Sequence, residues 1–441
     1  MLMVADRFGN PIDARVGYAW GKILWGPTAE TYRAAWAREI VRRRLEKYGI
    51  KKALYDFTGL QGKFQLKPED MEVASIGEWG LPAVFSEKLR NLAIQHLGGD
   101  PEKHDVVFFN RTSGGIILAE LLLAKKGETV VSFSPPPCAH SCVPRGAQLA
   151  GASYMEVFTS KELETVLGER TDVTLLVITG SSIHLEAMPL EELKRSIKLA
   201  KDRGISVLLD DASGARIRTV LCNQPKAFEL GVDMAITSTY KAGLYGPRGG
   251  FLVAEKEFAK KLDTASCEYG FDARPFSVLS ILRALENWDP ENLRKEAEIG
   301  NKIFEKARML YGERAKKRVG LWILEEDVLE IAMEKAGVAD KVPPIVPTEA
   351  SSGCGMILLE DYGIGTITSL GGPGCTFAVR LKPHFPEAIR FGDPEKIVRA
   401  LDESLNRLST IILNPKKIAG LLLGNYLESA CPRASCDSIF L

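Results

Sequence analysis

The segment TSTYKAGLYGPRGG, Thr237 to Gly250, sets one lysine, Lys241, among small hydroxyl residues and glycines directly behind an apolar run. An amine at such a point can hold an aldehyde as a Schiff base, provided its ammonium loses its proton readily in a partly desolvated site. Other reactive groups stand at comparable points. Asp210 and Asp211 close the apolar run ISVLLDD, His140 follows the prolines Pro135 to Pro137, and Thr112, Ser113, Gly114 and Gly115 open a helical pattern behind DVVFFN. Free N–H groups and the dipole at that helix start favour a phosphate; Ser113 adds a hydroxyl and Gly114 lets the backbone come close. Together these groups meet the needs of pyridoxal phosphate. Lys241 serves the aldehyde, a carboxylate keeps the pyridine nitrogen protonated so that the ring acts as an electron sink, the His140 imidazole offers a flat partner for the ring, and Ser238 adds a hydroxyl for the phosphate. Asp210 fits the carboxylate's place; Asp211 takes it if the strand ends one residue later.

These groups need a scaffold that presents them at one edge. Between about residues 104 and 256, β-branched runs alternate with helical patterns, giving seven strand candidates that begin at Asp105, Thr129, Ser153, Val173, Ser206, Met234 and Gly249. Continuous apolar runs such as TLLVITG and ISVLLDD suit strands covered on both faces, hence a mainly parallel seven-stranded sheet with helices on both sides, an α/β fold. In such a sheet, ligands bind beyond the carboxyl ends of the strands, which is where Ser113, His140, Asp210 and Lys241 fall. Only MAITST and GGFLVAE are too close for a helical crossover, and that pair should be antiparallel.

The chain divides into an N-terminal arm and helix (1–50), a large domain (51–290), a smaller α+β domain (291–414) and a tail (415–441) with no functional account. The N-terminal helix is predicted over Thr28 to Lys47, with Thr28 as N-cap, an apolar stripe at Trp36, Ile40 and Leu45, and a solvated face carrying Arg38, Arg42, Arg43 and Arg44. The later segments GMILLEDYGIGTITSL and CTFAVRLKP read as strands of the smaller domain.

Composition excludes several classes. The chain has 441 residues with 57 Lys and Arg against 57 Asp and Glu, so no global field collects nucleic acid or acidic membrane surfaces. No apolar run approaches the roughly 20 residues that span a bilayer, and the start lacks a basic segment followed by an apolar one, so a cytoplasmic protein is expected. Eight scattered cysteines read as free thiols. Cys138 and Cys142 flank His140, but no second pair completes the four ligands a zinc site needs, and no metal is expected.

DDASGAR, followed further on by STYKAGLYGPRGG, resembles the aspartate and lysine signatures of fold-type-I, aspartate-aminotransferase-like pyridoxal phosphate enzymes. Within that superfamily the chain is similar to bacterial selenocysteine synthase (L-seryl-tRNA selenium transferase) and to uncharacterised archaeal relatives. YDFTGLQGKF, Tyr55 to Phe64, looks like that group's entry motif, NRTSGG occupies its phosphate-loop position, and the likeness spans residues 50 to 410 in rough terms. The resemblance implies Lys241 as the Schiff-base lysine, Asp210 as the pyridine-nitrogen partner and His140 as the ring-stacking residue. It also implies Ser113, Gly114 and Ser238 as phosphate ligands, with Arg248 either a further phosphate partner or a surface arginine beside a turn. By analogy a homodimer, or a multiple of one, is expected. The balanced charge and the short segment before the likeness speak against a tRNA substrate, which stays the alternative to a small amino acid.

The expected activity is that of a transferase or lyase acting on a small amino acid or phospho-amino-acid by elimination, β-replacement or transamination, with the freed Lys241 as general base. Arg380, in CTFAVRLKP, is the candidate for gripping a substrate carboxylate, against the alternative of a surface arginine at a strand end. Cys354, in EASSGCGM, carries a desulfurase reading that needs a mobile thiol. A non-catalytic protein that keeps the fold is the remaining class.

Overall fold

The computed structural model describes residues 5–13, 16–60, 62–136, 138–373, 375–385 and 387–430. Gln61 of the entry motif, Pro137 and the two tail cysteines, Cys431 and Cys436, lie outside the described residues. Two compact units form: Leu60–Arg294, and Met1–Gly59 together with Lys295–Leu441.

The first unit is built on seven strands: β1 (His104–Phe109), β2 (Thr129–Phe133), β3 (Ser153–Val157), β4 (Val173–Thr179), β5 (Ser206–Asp210), β6 (Met234–Ser238) and β7 (Gly250–Glu255). Their order across the sheet is β1-β7-β6-β5-β4-β2-β3. β2, β3, β4, β5 and β6 pair in parallel, while β7 runs antiparallel to both β6 and β1. The alternation of side chains explains the unbroken apolar runs. Leu176, Ile178, Val207 and Leu209 enter one core, and Leu175, Val177, Leu208 and Ile236 enter another, so each strand is covered on both faces.

Helices fill the crossovers. Thr112–Leu123 follows β1, Cys142–Ala150 follows β2, Ser160–Glu169 follows β3 and Leu190–Lys201 follows β4. Gly115 lets the first of these lie close, because a Cβ there would meet Ile236 Cδ1 at 2.6 Å and Phe109 Cε2 at 2.9 Å. Between β6 and β7 there is only the Lys241 loop.

The second unit gathers the N-terminal helix, Pro27–Tyr48, with the C-terminal third of the chain around one core. Several local expectations are corrected here. The helix starts one residue earlier than Thr28, with Pro27 in its first turn behind Gly26, because proline's fixed φ suits a position whose N–H has no helical partner. Its buried stripe runs through Arg33, Ala37, Ile40 and Arg44, with Trp36 beside it, whereas Leu45 is exposed. Arg44 therefore leaves the solvated face and donates to Ala53 O (3.0 Å) and Glu360 O (2.7 Å), while Arg43 stays outside and pairs with Glu39 at 3.2 Å.

GMILLEDYGIGTITSL is not a strand. Helix Pro347–Ile357 runs into a π-helical turn over Leu358–Tyr362, and only Ile364–Gly365 pair as β, in parallel with Tyr55–Asp56. A helix buried on every side shows no helical period, so its apolar run mimics a central strand. The remaining sheet is three-stranded and antiparallel, Lys316–Lys317, Leu321–Ile323 and Val379–Leu381. The first part of the tail belongs to this core: helix Pro415–Leu423 buries Ile418, Ala419, Leu422 and Leu423. Among the described residues no helix is long and apolar enough to cross a membrane.

Candidate functional site

The carboxyl ends of β1, β2, β5 and β6 converge on one set of groups within Leu60–Arg294. Lys241 follows β6 in a loop closed by backbone bonds: Thr239 N–H to Gly249 O (3.1 Å), Gly246 N–H to Thr239 O (2.7 Å) and Leu244 N–H to Lys241 O (3.2 Å). Gly246 is required, since a Cβ there would stand 2.6 Å from Thr239 O. Ala242 holds a φ of 51°, a left-handed conformation that costs an L residue energy and persists only where its surroundings enforce it. The entry motif runs alongside: Leu60 forms an antiparallel bridge with Lys241, and Lys63 N–H donates to Gly246 O at 3.0 Å.

Asp210 closes β5 and is 5% exposed. One of its oxygens accepts the Ala212 N–H at 3.1 Å. Burial pushes its pKa up to about 6, the charge of Lys241 opposing that rise and Asp211 adding to it. The neighbouring acid is committed elsewhere. Asp211 and Arg218 form a two-pronged ion pair, both side chains fully buried, with Arg218 Nε 3.0 Å from Oδ1 and Nη2 against Oδ2. Gly180 and Gly214 make room for that carboxylate, since a Cβ on either would lie within 2.1 Å of Oδ1. Of the two acids, Asp210 is the one outside that pair.

His140 lies between β2 and helix Cys142–Ala150. Its Nδ1 accepts the Cys142 N–H at 3.3 Å and sits 3.0 Å from Cys142 Sγ, which leaves the ring proton on Nε2. Desolvation, with the positive charges of Lys241, Arg111 and Arg145, lowers its pKa to about 4. The imidazole is thus neutral and flat at physiological pH. Ser113 bonds the Cys142 thiol, whose pKa burial raises. Thr112 starts the helix that follows β1, and no side chain caps its first N–H groups. A Cβ on Gly114 would press on Phe271 at 3.3 Å, so glycine fits this start closely against the loop that follows helix Lys256–Tyr269.

Ser238 is fully buried and its hydroxyl donates to Ala212 O at 2.5 Å. Arg248 is exposed. Arg380 belongs to the other unit: it is 7% exposed, lies in strand Val379–Leu381 and has its guanidinium 5.4 Å from the Trp322 ring centre, so it is no surface residue. Cys354 is fully buried inside helix Pro347–Ile357 and its thiol is pushed up to about 12 by burial, which removes the mobile, ionised sulfur a desulfurase needs.

Sequence reasoning missed the group that holds the site together. Arg216 is fully buried and donates from Nε to Lys241 O (3.0 Å), from Nη1 to Thr237 Oγ1 (3.0 Å) and His96 Nε2 (3.2 Å), and from Nη2 to Ala212 O (3.1 Å) and Ser238 O (2.8 Å). One guanidinium thereby ties the end of β6, the residue after the acid pair and the lysine itself. The signal was present in DDASGARIR, where two arginines follow two acids inside an apolar run.

These residues fit pyridoxal phosphate by the chemistry of the donor set. A buried carboxylate with a raised pKa gains from a cationic pyridine nitrogen, a neutral imidazole suits a ring face, an uncapped helix start suits a phosphate, and a lysine stands among them.

Known proteins agree with this assignment. No protein-family model matches the chain. A pyridoxal phosphate-dependent protein of the UPF0425 family from Methanothermobacter thermautotrophicus is 33% identical over 404 residues, covering 91% of this chain and 100% of the relative. One from Methanosphaera stadtmanae is 33% identical over 342 residues, 78% of this chain and 85% of the relative. Among solved structures, a SepCysS–SepCysE N-terminal domain complex matches with a TM-score of 0.56 at 17% identity, over 80% of this chain and 95% of that one. Aspartate aminotransferase from Thermus thermophilus matches with a TM-score of 0.53 at 15% identity, over 87% and 97%. The chain therefore belongs to the UPF0425 family of pyridoxal phosphate-dependent proteins, and its scaffold is that of fold type I.

Proposed function

We propose that the chain is an enzyme that acts at the α or β carbon of a small amino acid or phospho-amino-acid, by elimination, β-replacement or transamination, with Lys241 as the covalent anchor of its cofactor. The observation that carries this is the placement of Lys241 behind β6 with the carboxylate of Asp210 and the imidazole of His140 both within reach of its charge. When bound, pyridoxal phosphate supplies an electron sink for a carbanion next to the substrate amine. The chain's own groups supply the rest. Asp210 would hold a proton at the pyridine nitrogen, His140 would offer its flat face to the ring, and Thr112, Ser113 and Gly114 would hold the phosphate with Ser238 and Arg248 in supporting roles. Lys241 would hold or move the proton at the substrate carbon.

Arg380 is our proposed holder of the substrate carboxylate, since a planar guanidinium grips two oxygens at once. Arg380→Ala should raise KM at least about tenfold for an amino acid while leaving cofactor loading intact, the loss of one charge-assisted pair being of that order. We further propose a homodimer or a multiple of one, which the exposed Phe64, Met71, Ile76, Trp79 and Val84 support; light scattering at micromolar concentration decides it, and a strict monomer counts against it. The test of the reaction class is spectral. Amino acids and phospho-amino-acids are added one by one to the yellow holoprotein: a displaced visible band names the substrate, and no displacement by any of them would contradict an amino-acid activity.

A further inference from the structure

A cavity of about 400 Å3 lies within the Leu60–Arg294 unit, walled by Leu285 and Trp288, floored by His96 and Arg216, and fringed by Lys226 and Arg294. Its lining includes none of Lys241, Asp210, His140 or Ser113. It is a separate chamber that shares Arg216 with the cofactor site. Thr219 and Val220 reach it from a π-helical turn, Ile217–Leu221, a departure from α geometry that recurs at functional sites.

The charges are one-sided. All five N–H groups of Arg216 go to neutral acceptors, three backbone carbonyls, the Thr237 and Ser238 hydroxyls and the His96 ring, while the adjacent carboxylate of Asp211 is gripped by Arg218. His96 accepts from Arg216 and so carries no charge; burial holds its pKa well below the usual histidine range. Among the described residues no Asp or Glu lines the cavity, and its lining includes two exposed cations, Lys226, which donates to Gln95 O at 2.8 Å, and Arg294, which stands 3.4 Å from Glu291 in a solvent-exposed pair of little energy. A buried cation with no anion in contact is an unfavourable arrangement that a bound anion relieves. The walls are apolar, with Trp288 set edge-on to His96 at 5.6 Å.

We propose that this cavity binds a small monocarboxylate with an apolar body, its carboxylate between Lys226 and Arg294 and its body against Trp288 and Leu285. The anion adds negative charge to a cavity whose buried Arg216 is neighboured only indirectly by a carboxylate, that of Asp211, which Arg218 holds. Because Arg216 holds the Lys241 carbonyl, occupancy steadies the lysine loop without touching the cofactor. Binding here does not require the reaction assigned to Lys241.

Isothermal titration of the full chain with 3-phenylpropionate, and with its neutral amide, tests the proposal. Saturable binding of the acid is expected, weaker by at least about tenfold for the amide and for the double variant Lys226→Ala, Arg294→Ala, the loss of two charge-assisted contacts being worth that much. Thr219→Trp, which fills the cavity, should abolish it with the far-ultraviolet circular dichroism unchanged, and Lys241→Ala should retain it. The proposal is overturned by no saturable binding of the acid, by equal binding of acid and amide, by unchanged affinity in the double or the filled variant, or by loss of binding in Lys241→Ala.

Discussion

Asp210 and Asp211 are adjacent, identical and both buried, yet their surroundings differ. Their order along the strand left either free to meet the cofactor; the deciding facts are Arg218 and the two glycines, Gly180 and Gly214, that make a niche for Asp211. Those contacts come from separate turns of the chain, so spacing alone could not rank the acids. Asp211→Ala should cost about 3 to 5 kcal/mol in urea unfolding, because it strands a buried guanidinium. Asp210→Asn should behave in the reverse sense. An acid whose folded pKa is raised, here from 3.8 to about 6, contributes a stability loss that sets in as pH climbs from 3.8 and is complete above 6. The cofactor-free Asn variant should therefore unfold at a higher temperature than the cofactor-free wild type at pH 8, by up to about 3 kcal/mol, and the gap should close by pH 4. Its affinity for pyridoxal phosphate should fall. Equal stabilities at pH 8 would show that Asp210 bears no such penalty.

The strands of the large sheet were legible because each is buried on two faces and bounded by turn residues, and β7 was legible as the antiparallel exception because no crossover fits before it. Helix Pro347–Ile357 was not, since burial on all sides erases the period that marks a helix. Helix Thr112–Leu123 holds a further surprise. Glu120 is fully buried, neither carboxyl oxygen has a hydrogen-bond partner among the described residues, and burial alone lifts its pKa to about 9. Gly146 on helix Cys142–Ala150 makes space for it, since a Cβ there would fall 1.5 Å from Oε2. A protonated glutamic acid of this kind loses stability for the fold as pH rises from its unfolded value toward 9, at about 1.4 kcal/mol per pH unit at most. Thermal unfolding from pH 5 to pH 9 should fall more steeply in the wild type than in Glu120→Gln, with the two curves meeting near pH 5. Parallel curves would mean that Glu120 ionises freely.

Across the whole chain, the sequence separates a sheet-forming stretch from its flanks but says little about how the flanks fold. Residues 1–59 and 295–441 join in one unit through contacts hundreds of residues apart, such as Arg44 with Glu360, and an arm read as separate is part of that core. The strand-end positions of Lys241, Asp210, His140 and Ser113 were readable because a parallel sheet puts strand ends on one edge; Arg216 was passed over, although DDASGARIR sets two arginines behind two acids, because its acceptors are mostly carbonyls and hydroxyls that carry no signature of their own. The proposed reaction rests on a cofactor held by one lysine of the Leu60–Arg294 unit. Borohydride reduction of the yellow holoprotein, followed by mass spectrometry of its peptides, tests this most directly. The expected result is a phosphopyridoxyl group on Lys241 alone, with Lys241→Ala folded but unable to be labelled; a colourless protein that takes up no pyridoxal phosphate, or a label on another lysine, would contradict it.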